Sequence, residues 1–331
     1  MDKRDKEEKG MRTGYTRPLG RTGIMITPIG LGAWQFSEGK GGARGSWKSL
    51  TPEDTDEIVE TALDGGINWF DTAELYGFAR SERGLSRALQ KAGRGNGDVV
   101  MATKWNPILR TARSITNTIE KRIDFLKPFS IDLHQVHFPA SFSSIESEMQ
   151  AMAGLIEAKK IQSAGVSNFS AKQMRRAHKT LVSRGFVLAS NQVKYSILDR
   201  RIESNGTLDA AQELGITIIA YSPLEMGLLS GKFHKDPSLL QSRPIARRVR
   251  LHRIVEKSRP VITALEEVAQ VHAVSVSQVA LNWLVNFHGE VVVTIPGATK
   301  VHHARESAGA MSFTLSRHEM DRIDELSRVF C

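Results

Sequence analysis

The sequence has little cysteine, no long apolar run and no complete dinucleotide-binding glycine motif. Its single cysteine, Cys331, stands among 331 residues. This excludes a disulfide scaffold and a cysteine-built metal site, so we expect no metal and a reducing, cytoplasmic location. No apolar stretch approaches the roughly 20 residues of a membrane span, and the first ten residues lack the apolar core of a signal peptide. We therefore expect no membrane partner.

Charge is plentiful, with a formal net charge of +9. The densest basic cluster, residues 243–259, has no interleaved aromatic side chains on which nucleic-acid bases could stack. A solvated surface loop is the first interpretation of this cluster, a loop over a bound phosphate the second, and a nucleic-acid contact the third. Residues 1–14 are expected to form a charged, solvated tail, and residues 15–331 a single domain.

Short β-branched runs alternate with longer amphipathic segments along the rest of the chain. Strands are predicted at residues 27–34, 67–72, 98–104, 131–138, 161–169, 187–195, 216–223 and 290–298. Helices are predicted at residues 51–66, 81–93, 112–127, 144–159, 170–184, 207–214, 258–273, 276–287, 301–309 and 316–328. The first helix has Thr51 as its N-cap and Pro52 at its first position.

Eight strands, each followed by a helix, are typical of an α/β protein of the (β/α)8 TIM-barrel class. A doubly wound dinucleotide fold is the rival, and it requires a G-x-G-x-x-G turn after an early strand. The nearest candidate, residues 30–35, has no third glycine. The sequence therefore predicts a barrel with extra C-terminal helices. Residues 17–30 predict an N-terminal β-hairpin, which could plug the bottom of that barrel.

Polar side chains occupy the predicted carboxyl ends of the strands, where the active sites of such barrels lie. Asp71 ends the second strand, and Tyr76 follows in its loop. Lys104 ends the third strand and His137 the fourth. Any one of these residues alone is unremarkable, but four such residues at one rim are unlikely by chance. Later strands end with further polar or turn residues: Ser167, Asn168, Gln192, Tyr221, Ser222, Pro223, Pro296 and Gly297.

These residue types suggest acid–base chemistry on a carbonyl group. A free phenol has a pKa of about 10, and a neighbouring ammonium lowers it. Tyr76 is thus the expected acid–base and Lys104 the residue that tunes it. Asp71 would anchor Lys104, and His137 would orient a carbonyl oxygen. The protein offers no electron source of its own, so a bound hydride carrier is expected.

The sequence resembles the aldo-keto reductases in several motifs. "GINWFDTAELYG" with "SERGLSRAL" is similar to the family's first signature, and Lys104 and His137 follow at successive intervals of 33 residues from Asp71. "GVSNF", "NQVKYS", "AYSPLEMGLLSGK" and "IPGATKVHHARESAGA" resemble later blocks of the family. The resemblance spans nearly the whole chain, and it implies NADPH-dependent, metal-free reduction of aldehydes or ketones to alcohols.

The resemblance also implies a set of cofactor contacts. The nicotinamide would stack on Tyr221, and its carboxamide would bind Ser167, Asn168 and Gln192. The diphosphate would follow the segment that contains Ser222, Pro223, Leu224, Gly227 and Lys232. The adenosine 2′-phosphate would be held by Gly297, Thr299, Lys300 and His303, and the adenine would face Glu306 and Ser307. Four residues of the first two strand ends complete the set: Gly32, Ala33, Trp34 and Asp71.

Substrate specificity is expected from loops over the barrel mouth. One such loop, residues 34–47, has a tryptophan at each end and a glycine-rich centre. The residues expected to line the substrate site are Trp34, Tyr76, Trp105, His137 and Phe138. They suggest an aromatic or medium-sized carbonyl compound. Within the family, the sequence looks closer to the bacterial and plant branch that includes pyridoxal-reductase-like proteins.

Two alternatives to an enzyme remain open at this point. One is an NADPH-binding sensor or regulatory subunit that resembles the potassium-channel β subunits, which share the fold. The other is nucleic-acid binding through the basic cluster at residues 243–259. The intact set of Asp71, Tyr76, Lys104 and His137 favours the enzyme, because a sensor has no need of all four.

Overall fold

The computed structural model describes residues 15–40, 49–240 and 245–331. The predicted tail, residues 1–14, lies outside the described residues, as do most of the glycine-rich stretch in the 34–47 loop and Trp47. Within the described part of the chain, eight parallel strands lie side by side in the order in which they occur in the sequence, and helices follow the strands. The predicted (β/α)8 fold is confirmed.

The strands comprise a short hairpin and the barrel itself. The antiparallel hairpin pairs β1 (Arg17–Pro18) with β2 (Met25–Ile26). The barrel strands are β3 (Leu31–Gly32), β4 (Trp69–Asp71), β5 (Val100–Trp105), β6 (Leu133–Val136), β7 (Ser163–Ser167), β8 (Leu188–Lys194), β9 (Thr217–Tyr221) and β10 (Val292–Thr294).

Backbone hydrogen bonds between the first and last barrel strands close the sheet. Gly30 N donates to Thr294 O at 2.8 Å, and Thr294 N donates to Pro28 O at 2.9 Å. Gly32 N donates to Pro296 O at 3.1 Å. A closed barrel leaves no unpaired strand edge.

The helices lie outside the strands. They are α1 (Pro52–Asp64), α2 (Arg80–Lys91), α3 (Arg113–Leu126), α4 (Ile145–Glu157), α5 (Ala171–Val182), α6 (Arg201–Ser204), α7 (Thr207–Leu214), α8 (Lys232–Lys235), α9 (Ile245–His272), α10 (Val276–Asn286), α11 (Val301–Gly309) and α12 (Arg317–Ser327). Short 3₁₀ helices occur at Trp34–Ser37, Glu225–Ser230, Pro237–Leu240 and Arg328–Phe330.

Reciprocal capping fixes where several helices begin. At α1, Asp54 N donates to Thr51 Oγ1 at 3.1 Å, and Thr51 N donates to Asp54 Oδ2 at 2.9 Å. Pro52 occupies the first turn, where its missing N–H costs nothing. This confirms the predicted start of α1. The same capping box begins three later helices, with caps at Ser170, Ser275 and Ser316.

The hairpin closes the bottom of the barrel, as predicted. Leu19 and Ile26, at 1 % and 0 % exposure, pack with apolar residues of the strands in a small cluster that includes Trp69 and Ile219. Gly20 N also donates to Thr217 Oγ1 at 2.7 Å, at the amino end of β9. The larger core lies between the strands and the helices. The end of the barrel opposite the hairpin therefore carries the loops that follow the strands.

The helix predicted at residues 258–273 is longer than expected. It is the last part of α9, which begins at Ile245 and continues through Pro260. Residues 245–259, which make up nearly all of the basic cluster, are thus helical, and this corrects the interpretation of residues 243–259 as a loop. In the described part of the chain, no single helix is long and apolar enough to cross a membrane. The pair Leu251–His272 and Val276–Asn286, bent by 98° at its break, meets that test by length and composition only.

Candidate active site

The four residues predicted to be catalytic lie at one rim of the barrel. Asp71 is the last residue of β4, and Lys104 lies one residue before the end of β5. His137 directly follows β6, and Tyr76 lies in the loop between β4 and α2. Since these strands are parallel neighbours, their carboxyl ends present all four side chains to the same region.

Asp71 and Lys104 form a buried ion pair at the centre of this rim. Lys104 Nζ donates to Asp71 Oδ1 and, at 2.9 Å, to Thr72 O. The two residues are 1 % and 0 % exposed. Gln192 and Gln135 donate to the other carboxylate oxygen at 2.9 and 3.3 Å. Burial alone would lower the pKa of Lys104, but Asp71 and Tyr76 together outweigh that effect and hold the pKa above its usual value. Lys104 is therefore charged.

Tyr76 reaches the same lysine from a tight turn. Its Oη lies 3.4 Å from Lys104 Nζ, and its backbone N–H donates to Ala73 O at 3.1 Å. The next residue, Gly77, has φ +62°, and a Cβ there would lie 2.5 Å from Ser37 O. A side chain at this position would thus push the turn away. Glycine is therefore required at position 77, in the turn that directs the Tyr76 hydroxyl towards Lys104.

The acidity of Tyr76 differs from the expectation. Burial raises the pKa of Tyr76 above its usual value, and the Lys104 ammonium opposes that shift without overcoming it. The expected lowering of this pKa is therefore corrected: desolvation of the phenol outweighs attraction to one ammonium. The consequence is a phenol that keeps its proton at neutral pH and is available as a donor.

His137 completes the group as a neutral ring. It is 6 % exposed, stacks on Phe138 with centroids 4.4 Å apart, and meets Tyr76 edge-on at 5.6 Å. Burial, together with the Lys104 charge, lowers the pKa of His137 to about 2. Its Nδ1 is buried without a hydrogen-bond partner among the described residues. A neutral imidazole can orient a polar group but cannot act as a cationic acid at physiological pH.

Residues predicted to hold a nicotinamide lie on the next three strand ends. Tyr221 Oη donates to Asn168 Oδ1 at 3.0 Å, and Asn168 Nδ2 donates to Ser167 Oγ at 3.0 Å. Ser167 Oγ in turn donates to Gln192 O at 2.8 Å. Asn168 Nδ2 also donates to His137 O at 3.3 Å. The structure thus joins these residues into one network beside the Asp71 carboxylate.

The loop after β9 contains the predicted diphosphate residues Ser222, Pro223, Leu224, Gly227 and Lys232. Ser222 and Gly227 have φ of +55° and +91°. A Cβ on Gly227 would lie 2.8 Å from Lys232 Nζ. The absence of a side chain at Gly227 therefore lets the lysine ammonium approach the backbone closely.

The predicted 2′-phosphate residues surround the start of α11. Lys300 is the N-cap of that helix and makes no side-chain cap. Thr299 N and Oγ1 lie 3.3 Å from His303 Nδ1. Burial lowers the pKa of His303 to about 4, and the charges of Lys232 and Lys300 contribute to that shift. Both lysines therefore act on the same small region, which is positive.

Further residues predicted to bind the cofactor lie on α11 and where the barrel closes. A Cβ on Gly297 would lie 2.1 Å from the Gln35 amide, so that side chain covers the glycine. On α11, Ser307 is buried and Glu306 is half-buried. Gly32 bridges to Gly297, where the barrel closes.

Ala33 and Trp34 connect the first barrel strand to the catalytic rim. Ala33 N donates to Asp71 O at 2.8 Å. The Trp34 ring is half-buried, with its centroid 6.4 Å from that of Tyr76. Trp34 and Phe138 thus lie beside the candidate catalytic residues, as the sequence predicted.

Trp105 lies elsewhere. It is 0 % exposed, it belongs to the core between strands and helices, and its Nε1 donates to Ser114 Oγ at 3.0 Å. Lys104 points to the inside of the barrel, so its neighbour on the strand points to the outside. The prediction that Trp105 lines the substrate site is corrected on this ground.

Sequence reasoning missed Gln135 and Glu74. Gln135 pairs in register with Lys104 and stands two residues before His137, so the strand period of two could have found it. Glu74 lies within the "DTAELYG" motif. Its carboxylate accepts hydrogen bonds from Asn106 N at 3.1 Å and from Arg110 at 2.8 Å. It ties the loop that carries Tyr76 to the loop after β5.

Comparison with known proteins identifies the family. The model of the aldo/keto reductase family matches residues 28–328. The chain belongs to this family of oxidoreductases, whose members generally use NAD(P)H.

Two relatives and one solved structure illustrate the similarity. The chain is 30 % identical to a chloroplastic pyridoxal reductase of Arabidopsis thaliana, over 91 % of this chain and 83 % of the relative. It is 29 % identical to a 6-dehydroglucose reductase of Novosphingobium aromaticivorans, over 92 % of each. A thermostable aldo-keto reductase, solved with the inhibitor epalrestat, has 30 % identity and a TM-score of 0.74, over 94 % of this chain and 99 % of that one.

Proposed function

We propose that the protein is an NADPH-dependent reductase of aldehydes or ketones in which Tyr76 is the proton donor. The observation that carries this proposal is the buried ion pair of Lys104 and Asp71 beneath the Tyr76 hydroxyl. It supplies a fixed positive charge beside a phenol that holds its proton. Membership of a family of oxidoreductases supports the same reaction class.

The residues of the other half of the rim fit a dinucleotide with a phosphorylated ribose. The first amides of α11 have no side-chain cap, and helix N-termini favour anions. Lys300 and Lys232 add positive charge there. Tyr221 offers a half-exposed ring beside the amide of Asn168. Ser167, Asn168, Gln192 and Tyr221 would hold the nicotinamide end, and Thr299, Lys300 and His303 the 2′-phosphate.

NADPH would supply the hydride that the carbonyl carbon accepts. The protein's part is the proton. Tyr76 Oη donates it to the carbonyl oxygen as negative charge develops there, which leaves an alcohol and a phenolate. Lys104, kept charged by Asp71, stabilises that phenolate until Tyr76 regains a proton from solvent. His137, as a neutral ring, orients the carbonyl oxygen.

Loss of NADPH absorbance with a panel of aldehydes and ketones tests the reaction. The panel includes pyridoxal and 6-dehydroglucose, an aldehyde sugar, because relatives are named for these compounds. Tyr76→Phe should reduce kcat by about a hundredfold or more and leave NADPH affinity within a few fold. Tyr15→Phe, which removes a hydroxyl that binds Arg17 at 3.0 Å, is the matched control. Full turnover by Tyr76→Phe would refute its role. NADPH binding without turnover of any compound would favour the sensor instead.

A further inference from the structure

The loop after β9 has a strained backbone that glycine alone does not explain. Three consecutive residues, Glu225, Met226 and Gly227, have φ of +47°, +54° and +91°. This left-handed region is unfavourable for residues with a Cβ, and it persists only where surrounding contacts impose it. Two of the three residues carry side chains, so contacts elsewhere must hold the loop.

The Glu225 carboxylate supplies those contacts. Lys194 Nζ lies 2.9 Å from its Oε1 and 3.1 Å from its Oε2. Ser196 Oγ donates to Oε1 at 3.1 Å. Lys194 is the last residue of β8 and pairs in register with Tyr221, the last residue of β9. The loop is thus tied to the strand end beside the proposed nicotinamide platform.

A second carboxylate fixes the lysine. Asp199 Oδ2 lies 3.0 Å from Lys194 Nζ, and Arg201 binds both Asp199 oxygens at 2.7 and 2.8 Å. The side chains of Glu225 and Asp199 are only 15 % and 9 % exposed. Burial alone would lower the pKa of Lys194, but these carboxylates hold it above its usual value. Two positive and two negative groups therefore form a nearly neutral anchor.

An acidic side chain in this loop is otherwise unexpected. The proposed diphosphate segment runs from Ser222 to Lys232, and a carboxylate inside it would repel that anion. Its pairing with Lys194 removes most of the repulsion. A glutamate can therefore occupy this position and fix the conformation of the loop without repelling the diphosphate strongly.

We propose that Glu225 is a positioning residue for the cofactor. Together with Lys194 and Ser196, it holds the loop after β9 in the left-handed conformation that receives the diphosphate of the dinucleotide. This inference rests on the proposed NADPH-dependent function. Glu225 touches no reacting atom in this account, so its loss should affect cofactor binding and release more than the chemical step.

The substitution Glu225→Gln tests this role through the sign of its effect. The variant keeps the size of the side chain and removes one negative charge. If Glu225 acted on the cofactor only through charge, NADPH would bind more tightly to the variant. If it holds the loop, NADPH should bind about three- to tenfold more weakly, because a partly exposed, charge-assisted contact is lost. Dissociation should be faster by a similar factor, with kcat at saturating NADPH nearly unchanged.

The measurements are NADPH titration by protein fluorescence and stopped-flow displacement of bound NADPH. Glu213→Gln on α7, which breaks the exposed ion pair with Arg175 on α5, is the matched control. Lys194→Met and the double variant complete a cycle. Once one substitution has broken the anchor, the second should weaken NADPH binding little further. The loss of affinity in the double variant should therefore be clearly smaller than the sum of the two single losses. Thermal unfolding of each variant checks that the fold persists.

The outcomes separate this inference from the proposed function. Weaker binding by Glu225→Gln, with non-additivity in the double variant, supports the positioning role. Unchanged or tighter binding by Glu225→Gln overturns it, as does full additivity. Failure of the unsubstituted protein to bind NADPH overturns the proposed function, and this inference with it.

Discussion

Replacing Asp71 with asparagine should leave the Lys104 ammonium buried without its counter-charge. The substitution keeps the shape of the side chain, but its amide presents an oxygen on one side only. Gln192 and Gln135 donate to one carboxylate oxygen and Lys104 to the other, so at least one donor would face the new NH₂ group. We expect a folded but weakened protein with no measurable reductase activity.

The size of the effect follows from burial. Asp71 and Lys104 are 1 % and 0 % exposed, so water does not screen the remaining charge. Removal of one partner from a buried pair costs about 3–5 kcal/mol. Lys104 keeps its hydrogen bond to Thr72 O, so we expect about 3 kcal/mol, the lower end of that range. The same loss of the counter-charge lowers the pKa of Lys104.

The sign of the pH dependence distinguishes this explanation from general damage. In the unsubstituted protein the pKa of Lys104 is raised, so its contribution is complete below the unfolded value of about 10.4 and is lost as pH rises through the folded value. In Asp71→Asn the folded pKa is depressed. The unfolded chain then binds the proton more tightly, and stability rises with pH up to about 10.4.

Urea unfolding followed by tryptophan fluorescence measures the loss of stability and its dependence on pH. The measurements are made at about pH 7 and about pH 9.5, both of which are below the lysine pKa of unfolded chains. Asp71→Asn combined with Lys104→Met removes the stranded charge, so this double variant should be more stable than Asp71→Asn while remaining inactive. A loss below about 1 kcal/mol, the range of an exposed ion pair, would refute the reasoning. So would a double variant less stable than the single one.

Two further predictions concern the proposed cofactor and proton chemistry. Lys300→Ala should weaken NADPH binding about tenfold and NADH binding little, because only NADPH carries the ribose phosphate. Raised salt should reduce the preference of the unsubstituted protein for NADPH. Equal weakening of both cofactors in fluorescence titrations would contradict the proposed contact of Lys300 with the phosphate. Lys104→Met should lower kcat severely. It should also move the alkaline limb of the residual pH–rate profile to higher pH, because the cation that partly offsets the raised pKa of Tyr76 is gone. An alkaline limb at unchanged pH would contradict the assignment of that limb to Tyr76.

Local patterns were sufficient to predict most of the fold. The Thr51 cap and Pro52 specify the start of α1, and Thr207–Leu214 has the bounds predicted for it. The start of α9 was missed because the arginine-rich residues 243–259 favour a surface loop, whereas the helix runs from Ile245 through Pro260. Proline is uncommon in a helix interior, so its tolerance depends on context that the sequence does not express.

The part of the candidate site that consists of single side chains at strand ends was predictable from the sequence. Asp71, Lys104 and His137 follow from the strand pattern and the family resemblance. Effects that depend on three dimensions were not predictable. The direction of the Tyr76 pKa depends on how far burial outweighs Lys104. Trp105 turned to the helix side because the strand continues one residue beyond Lys104. Glu225 was overlooked because its partner, Lys194, belongs to another strand.

Closure of the barrel between Gly30 and Thr294 has a consequence for the maturation of the protein. The residues proposed for proton transfer, Asp71, Tyr76 and Lys104, belong to the first half of the chain, whereas Gln192 comes from the second half and donates to Asp71. A chain that ends before β8 lacks Gln192 and therefore leaves the Asp71 carboxylate without one of its hydrogen-bond donors. Turnover then reports on the completeness of the whole barrel, and a truncated or misassembled chain remains catalytically silent.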